Sequence, residues 1–233
     1  MRRNTSGVVG IRELLDPRVS GAENYGADHI VRVLEPLVTS ARLARIRGIV
    51  ARRIGSVTVA LDGPYDPHNG AAVVRSCEAF GVQQLHVIER ACTPFVLAKS
   101  VSRSAQKWMD IACHSHSATA LAWAKNAAMP LVAADPQGSL APDDLATMPR
   151  VAIVLGSEHE GIRAEIAAAC VARVRVPMRG FVESLNVSVT AAILLHAATR
   201  HRAGDLDDQT RLRLYARGLV LSVPRAMDLL ANS

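Results

Sequence analysis

Polar and charged side chains of the types that can do chemistry, arginine, glutamate, histidine, serine and asparagine, are crowded at a few places in this sequence. They fall in three stretches that share one form, a short apolar run, a polar turn and a helix-like segment. The first, VTVALDGPYDPHNGAAVVRSCEAFG (Val57 to Gly81), carries Asn69 and, six residues on, Arg75. The second, VAIVLGSEHEGIRAEIAAA (Val151 to Ala169), sets Ser157, Glu158, His159 and Glu160 between Gly156 and Gly161. The third, VRVPMRGFVESLNVSVTAAILLHAATR (Val174 to Arg200), crowds Arg179, Gly180, Glu183, Ser184 and Asn186 into a connection that ordinarily needs only about two to six residues. Arginine can grip a phosphate through two parallel N–H donors and can stabilise an alkoxide. A guanidinium amid Ala71, Val73, Val74, Cys77 and Ala79 is out of place on a core-packed helix. Helical side chains lean toward the amino terminus, so Arg75 can reach back over part of the roughly 9 Å that separates it from Asn69 along the axis. On spacing alone, Asn69, Ser184 and Asn186 read equally well as helix caps, and a bare GxExxG is a common pattern.

Apolar patterning places these turns on an alternating frame. Strands are expected near 57–62, 84–89, 107–113, 130–134, 151–155 and 173–177, with helices near 69–80, 117–128 and 161–172 and a last one from 186. Such alternation implies an α/β fold, a mostly parallel sheet with helices on both faces. Its carboxyl edge, where open sheets bind ligands, is where all three turns would meet. No GxGxxG follows the first strand, which argues against a dinucleotide-dependent oxidoreductase. Ahead of this core, GIRELLDP reads as one or two helical turns before Pro17. Ile30, Val31, Leu34, Leu37 and Val38 recur at helical spacing, with a break or kink at Pro36. Leu43, Ile46, Ile49 and Val50 form one side of a further helix whose remainder carries Arg42, Arg45, Arg47, Arg52 and Arg53. After Arg200 a polar break, HRAGDLDDQ, precedes a basic amphipathic segment with Arg211, Arg213 and Arg217, and a short helix is expected after Pro224. The terminal helix is positioned to pack beside the amino-terminal arm.

The 233 residues are 49% hydrophobic, ample for a core, and carry a net charge of +6 with a pI near 9.6, which favours a polyanionic partner. Aromatic residues make up 3%, too few for a surface built on rows of stacking rings. Cys77, Cys92, Cys113 and Cys170 lie far apart in apolar surroundings and read as reduced, buried residues. The Cys113–His116 run lacks a second ligand pair, reads as structural or exposed, and no metal is expected. With no apolar run of spanning length and no signal-peptide pattern, the expectation is a cytoplasmic protein without a membrane partner.

Taken together and in order, PHNGAAVVRSCEAFG, LGSEHEG and VPMRGFVESLNVSVTAAILL resemble the SpoU/TrmH family of RNA ribose 2′-O-methyltransferases, over roughly Val57 to Arg200. The resemblance implies the SPOUT fold with a deep trefoil knot at about 150–200, S-adenosyl-L-methionine as methyl donor, and a homodimer. It implies catalytic roles for Asn69, Arg75, Glu158, Ser184 and Asn186, and a cofactor pocket that includes Ala134, Gly156, Val176 and Leu185. Ala134 stands where the family carries a threonine, so a side-chain hydrogen bond at that position is lost. The loop SRSAQKW resembles a variable family loop that touches RNA, and Trp108 within it reads as a packing residue. Arg42, Arg45, Arg52, Arg53, Arg103, Lys107 and Arg211 are the expected RNA contacts. The implied layout is a basic helical extension (1–55), a methyltransferase core (56–202) and a helical carboxyl-terminal extension (203–233). Short basic extensions at both ends resemble the tRNA-directed branch, which implies guanosine 18 of the D-loop as target. The alternatives are a ribosomal RNA ribose methyltransferase and a non-catalytic RNA-binding protein on the same scaffold, which would be expected to lose Asn69, Arg75, Glu158 or Asn186.

Overall fold

The structure, a computed structural model, describes residues 11–14, 16–90 and 94–233. Arg2, Arg3 and Cys92 lie outside the described residues. In chain order the elements are β1 (Ile11–Glu13), α1 (Ala27–Leu34), α2 (Ser40–Val50), β2 (Ile54–Asp62), α3 (Pro67–Ala79), β3 (Val82–Ile88), α4 (Lys99–Ser102), β4 (Asp110–His114), α5 (Ser117–Asn126), β5 (Leu131–Ala134), β6 (Val151–Leu155), α6 (Ala164–Ala169), β7 (Ala172–Val174), α7 (Val187–Thr199), α8 (Asp208–Val220) and α9 (Ala226–Ala231). Short 3₁₀ turns fill several connections, one of them at Glu35–Leu37, where Pro36 ends α1. The chain separates into two compact units: residues 1–14 with 55–202, and residues 15–54 with 203–233.

The first unit is built on a seven-stranded sheet in the order β1-β4-β3-β2-β6-β5-β7. The pairs β2/β6, β3/β4, β5/β6 and β5/β7 are parallel, and β1 is antiparallel to β4. Every residue of β6 is buried, and since successive side chains point to opposite faces, both faces are covered there. Ala60 of β2 and Ala152 and Val154 of β6 pack with Ala120 and Ala124 of α5 and Ile166 of α6. Helix α7 packs along α3.

Three expectations change. GIRELLDP forms a strand at Ile11–Glu13 rather than helical turns, because the edge of β4 offers backbone partners at His114, Cys113 and Ala112. Arg12 secures it through the Glu89 carboxylate at 2.5 Å. The predicted helix 161–172 is only Ala164–Ala169, since the glycine turn before it occupies residues through 161 and Arg163 takes the capping position. Strand 173–177 ends at Val174, where the chain peels away toward the third turn.

The second unit packs Ile30 and Leu34 of α1, Ile46 of α2, Tyr215 and Leu219 of α8 and Leu230 of α9 into one apolar core. Glu35 joins its helices by accepting from the Tyr215 hydroxyl at 2.8 Å and pairing with Arg47 at 2.6 Å, while the Arg47 guanidinium lies over the Tyr215 ring. Burial, then the hydrogen bond to Glu35, raises the Tyr215 phenol above its ordinary pKa.

His114 of the CHSH run is buried, and His116 is exposed. Among the described residues no group of three metal-binding side chains occurs. The His114 Nε2 lies 2.9 Å from Nδ1 of His86, which stacks on Trp123 with ring centroids 3.5 Å apart. Burial pushes both imidazoles well below their ordinary pKa, so both are neutral in the folded protein. In the unfolded chain they take up protons as the pH falls below about 6.5, so the stability they contribute is intact above that pH and is lost on further acidification. Urea unfolding is expected to show stability declining between pH 7 and pH 4.5, with a flatter profile in a His86→Leu/His114→Leu double variant.

Candidate active site

Strand β2 ends in Asp62, whose side chain is 1% exposed, and the chain then turns through Gly63, Pro64, Tyr65 and Asp66 into α3. Pro67 opens that helix and Asp66 caps it, accepting from the His68 backbone N–H at 2.8 Å. This bond is the first cause holding the Asp66 carboxyl below its ordinary pKa. Asn69 is therefore the third residue of the helix and not its cap, which leaves its amide for lateral contacts. Its Nδ2 donates to Glu158 Oε1 at 2.5 Å, and its Oδ1 accepts from Asn186 Nδ2 at 3.0 Å. Asn186 also caps α7, its Oδ1 accepting from the Ser188 backbone N–H at 2.8 Å and the Ser188 hydroxyl at 2.6 Å. Capping and site contact coexist in this one side chain. One hydrogen-bonded chain, Asn186 to Asn69 to Glu158, thus joins all three turns.

The second turn is closed by reciprocal backbone bonds between Ser157 and Gly161, both 3.1 Å. A Cβ at Gly156 would stand 2.3 Å from the Gly161 carbonyl carbon, and Gly161 has a φ of +66°, so each glycine is demanded by backbone geometry. Two arginines hold this loop. Arg163 donates to Asp62 through its backbone N–H and through Nε, each at 2.6 Å. Arg90, beyond β3, reaches the Gly63 carbonyl at 3.3 Å, the Ser157 hydroxyl at 3.1 Å and Glu160 at 2.5 Å. The Arg90 hydrogen bond and then its charge lower the Glu160 pKa. Ser157 was noted only as part of the GSEHEG turn, and Asp62, Arg90 and Arg163 were not anticipated. An acid closing the apolar run VTVAL and an arginine just after GxExxG were the only traces they left.

Beside this network lies a cavity of about 410 Å³, in the range of small-molecule sites. Ala134, Gly156, Val176 and Leu185 all line it, and so do Glu158, Ser184 and Asn186. Asp135, Met178 and Thr190, not anticipated, complete parts of the wall. Asn69 joins the group through its two amide bonds. Arg75 does not: it is exposed on α3 and, among the described residues, makes no hydrogen bond or ion pair. Its guanidinium is uncommitted.

The expected RNA contacts divide. Arg45, Arg52 and Arg103 are exposed. Arg42 is half-buried and donates to the Ser222 hydroxyl at 3.1 Å. Lys107 is half-buried, and so is Arg211, which pairs with Asp208 at 3.4 Å. Arg53 is a correction: at 3% exposure it is buried and cannot offer its guanidinium to a phosphate. The returning carboxyl-terminal segment covers it, with the Asp205 N–H on the Arg53 carbonyl and Gly204 against Ala51. Of the expected buried cysteines, Cys77 and Cys113 are buried and Cys170 is half-buried, all free thiols whose pKa burial raises, to about 12 for Cys113.

Residues 56–196 match the model of the SpoU rRNA Methylase family. The tRNA (guanosine(18)-2′-O)-methyltransferases of Escherichia coli and Thermus thermophilus are each 32% identical, the first over 69% of this chain and 70% of its own length, the second over 75% and 90%. The 23S rRNA (guanosine-2′-O-)-methyltransferase RlmB of Coxiella burnetii is 30% identical over 83% of this chain and 79% of its own. The crystal structure of the A. aeolicus TrmH/SpoU tRNA modifying enzyme superposes with a TM-score of 0.70 at 25% identity, covering 79% of this chain and 98% of that one. The SpoU methyltransferase AviRb of Streptomyces viridochromogenes, in complex with AdoMet, gives 0.57 at 26% identity over 64% and 61%. With these matches, the parallel sheet and the three-turn site define an RNA 2′-O-methyltransferase dependent on S-adenosyl-L-methionine. The chain belongs to the SpoU family.

The cavity suits that donor: Leu155, Ile162, Val174 and Leu185 offer apolar wall to a nucleoside, and the Glu158 carboxylate brings negative charge toward a cationic ligand. Asp62→Ala would leave Arg163 without its buried partner and is expected to cost about 3–5 kcal/mol in urea unfolding. Arg90→Ala, at a more exposed site, should cost no more than about 1 kcal/mol. Titration calorimetry should nevertheless find its affinity for S-adenosyl-L-methionine reduced, because the Gly156–Gly161 loop loses its tether.

Proposed function

We propose that this chain methylates the ribose 2′-oxygen of guanosine 18 in the D-loop of tRNA. The observation that carries the proposal is the Asn186–Asn69–Glu158 chain at the wall of the cavity, which brings the polar groups of three turns to one point. S-adenosyl-L-methionine, when bound, supplies a methyl group on a sulfonium, ready for attack. An alcohol is a weak nucleophile, so the protein's part is to place the hydroxyl and manage its proton. Glu158, Asn69, Ser184 and Asn186 are the side chains placed to orient the ribose. Arg75 is assigned placement and charge stabilisation rather than proton transfer. Uncommitted and exposed, it suits an electrostatic clamp on a phosphate or an alkoxide.

Guanosine 18 of tRNA is favoured by the relatives named for that activity and by the basic amino-terminal segment 1–55, which carries ten arginines against five acidic residues; segment 203–233 balances four arginines with four aspartates. The second reading, a 23S rRNA guanosine, is favoured by the RlmB relative. A non-catalytic scaffold role sits poorly with the presence of Asn69, Arg75, Glu158 and Asn186 together. The trefoil knot belongs to this proposal, and one feature supports it. Strand β7 pairs with β5 on one side, while on the other Leu140 donates to the Arg173 carbonyl and accepts from the Arg175 N–H. Chain leaving β5 therefore passes around β7, as threading requires.

A homodimer is likewise proposed. Val182, Leu185, Val189 and Ile193 place a run of exposed apolar side chains along the third turn and α7, with Phe181 fully exposed beside them. A second copy of the chain would cover that run. Among the described residues no helix is long and apolar enough to cross a membrane, and the cytoplasm, where tRNA is modified, is the proposed location.

Labelled S-adenosyl-L-methionine, incubated with bulk tRNA and separately with ribosomal RNA and followed by nucleoside analysis, should yield 2′-O-methylguanosine from tRNA alone. Arg75→Ala should lower the rate by about 100-fold or more. Label confined to ribosomal RNA would overturn the tRNA assignment. Ile193→Lys should shift the mass found by light scattering from a dimer to the 24.9 kDa monomer. An unchanged mass would remove α7 from the contact.

A further inference from the structure

Of the eight phenylalanine, tyrosine and tryptophan residues, only Tyr65 and Phe181 are exposed in the structure. Tyr65 is 74% exposed, and its place is unlike that of Phe181: it stands in the first turn, between the end of β2 and the helix that carries Asn69. The backbone there is stiff. Pro64 fixes its own φ, and Asp66, which precedes Pro67, is extended with φ −88° and ψ 118° while it caps α3. The Tyr65 and His159 rings form a T-shaped pair at a centroid distance of 5.3 Å and an interplanar angle of 81°. His159 follows Glu158 directly, and Glu158 is bonded to Asn69, four residues beyond Tyr65. The ring pair is thus tied on both sides to the residues placed to hold a ribose. A T-shaped contact uses one edge and one face, and leaves a ring face open to solvent.

We propose that Tyr65, buttressed by His159, is a nucleobase-stacking subsite that receives the base of the nucleotide whose ribose is methylated. The inference rests on the RNA methyltransferase assignment and adds to it an element that positions the target nucleotide. Single-stranded and looped RNA is read by bases splayed onto aromatic side chains. Such stacking tolerates any base, because each has a π face. A large ring held in water on a proline-stiffened turn adds nothing to the core, so its truncation leaves no internal cavity. The stiffness lowers the entropy lost when a base settles on it.

The test compares Tyr65→Ala, Tyr65→Phe and His159→Ala with the wild type. Each is assayed for methyl transfer to an unmodified tRNA transcript, for binding of that transcript and for binding of S-adenosyl-L-methionine. Tyr65→Ala should raise the KM for the transcript and weaken its binding by about 5- to 100-fold. Donor affinity should stay within about twofold and thermal stability should be unchanged; Tyr65→Phe should resemble the wild type, and His159→Ala should show a smaller loss of the same kind. A transcript lacking the base at the methylated nucleotide should bind the wild type more weakly by a similar factor, and Tyr65→Ala no worse than the wild type. Unaltered transcript binding by Tyr65→Ala, an equal loss in the phenylalanine variant, or independent losses from ring and base would each overturn the proposal. The binding arm reads Tyr65 even if the wild type methylates neither RNA, an outcome that would count against the assigned activity instead.

Discussion

The site depends first on the pairing of Asp62 with Arg163. A carboxylate at 1% exposure is tolerated only where donors replace its lost water, and Arg163 supplies a backbone N–H and two guanidinium nitrogens. The pair fastens the start of α6 to the end of β2. The loop between Gly156 and Gly161, which runs from β6 toward that helix, is then fixed beside the first turn. An apolar pair of equal volume would fill the same space. The ion pair adds directed hydrogen bonds that an apolar pair lacks.

From that anchor the rest of the site follows by contact. Arg90 ties the same loop to Gly63, and Asn69 and Asn186 carry the connection into the third turn. Asn186 does two tasks with one amide: its oxygen caps α7 and its nitrogen holds Asn69. A helix end and a site residue are therefore the same side chain, and a change there loosens both. Because the loops carry the functional groups while the buried strands β2, β5 and β6 hold them in place, the site is positioned by the sheet and not by its own loops.

The sequence was a good guide where a pattern repeats. Alternation of apolar runs and helical segments gave six of the strands to within a few residues, since burial on both faces writes a continuous apolar run. Three-residue β1 gave no such signal: its register comes from the open edge of β4, far away in the chain. Arg53 misled for a related reason. It reads as one more charge on a basic helix, and only the return of residues 203–205 over it shows that it is covered.

What the sequence determined by itself is the identity of the three polar turns and the residues in them, because those types at those separations match one family of RNA methyltransferases. It also determined where glycine is needed, although not why: Gly156 is required by the approach of the Gly161 backbone and Gly161 by its own positive φ. Tertiary structure alone decided the roles of the asparagines, since Asp66 caps α3 in place of Asn69, while Asn186 both caps α7 and holds Asn69. The grouping of Ala134, Gly156, Val176 and Leu185 on one cavity was expected from the family resemblance, whereas the exclusion of Arg75 from its wall was not. The physical reason is that hydrogen bonds such as Asn69 to Glu158, 89 residues apart in the chain, arise from how strands are ordered in the sheet, and that order has no local signature in the residues themselves.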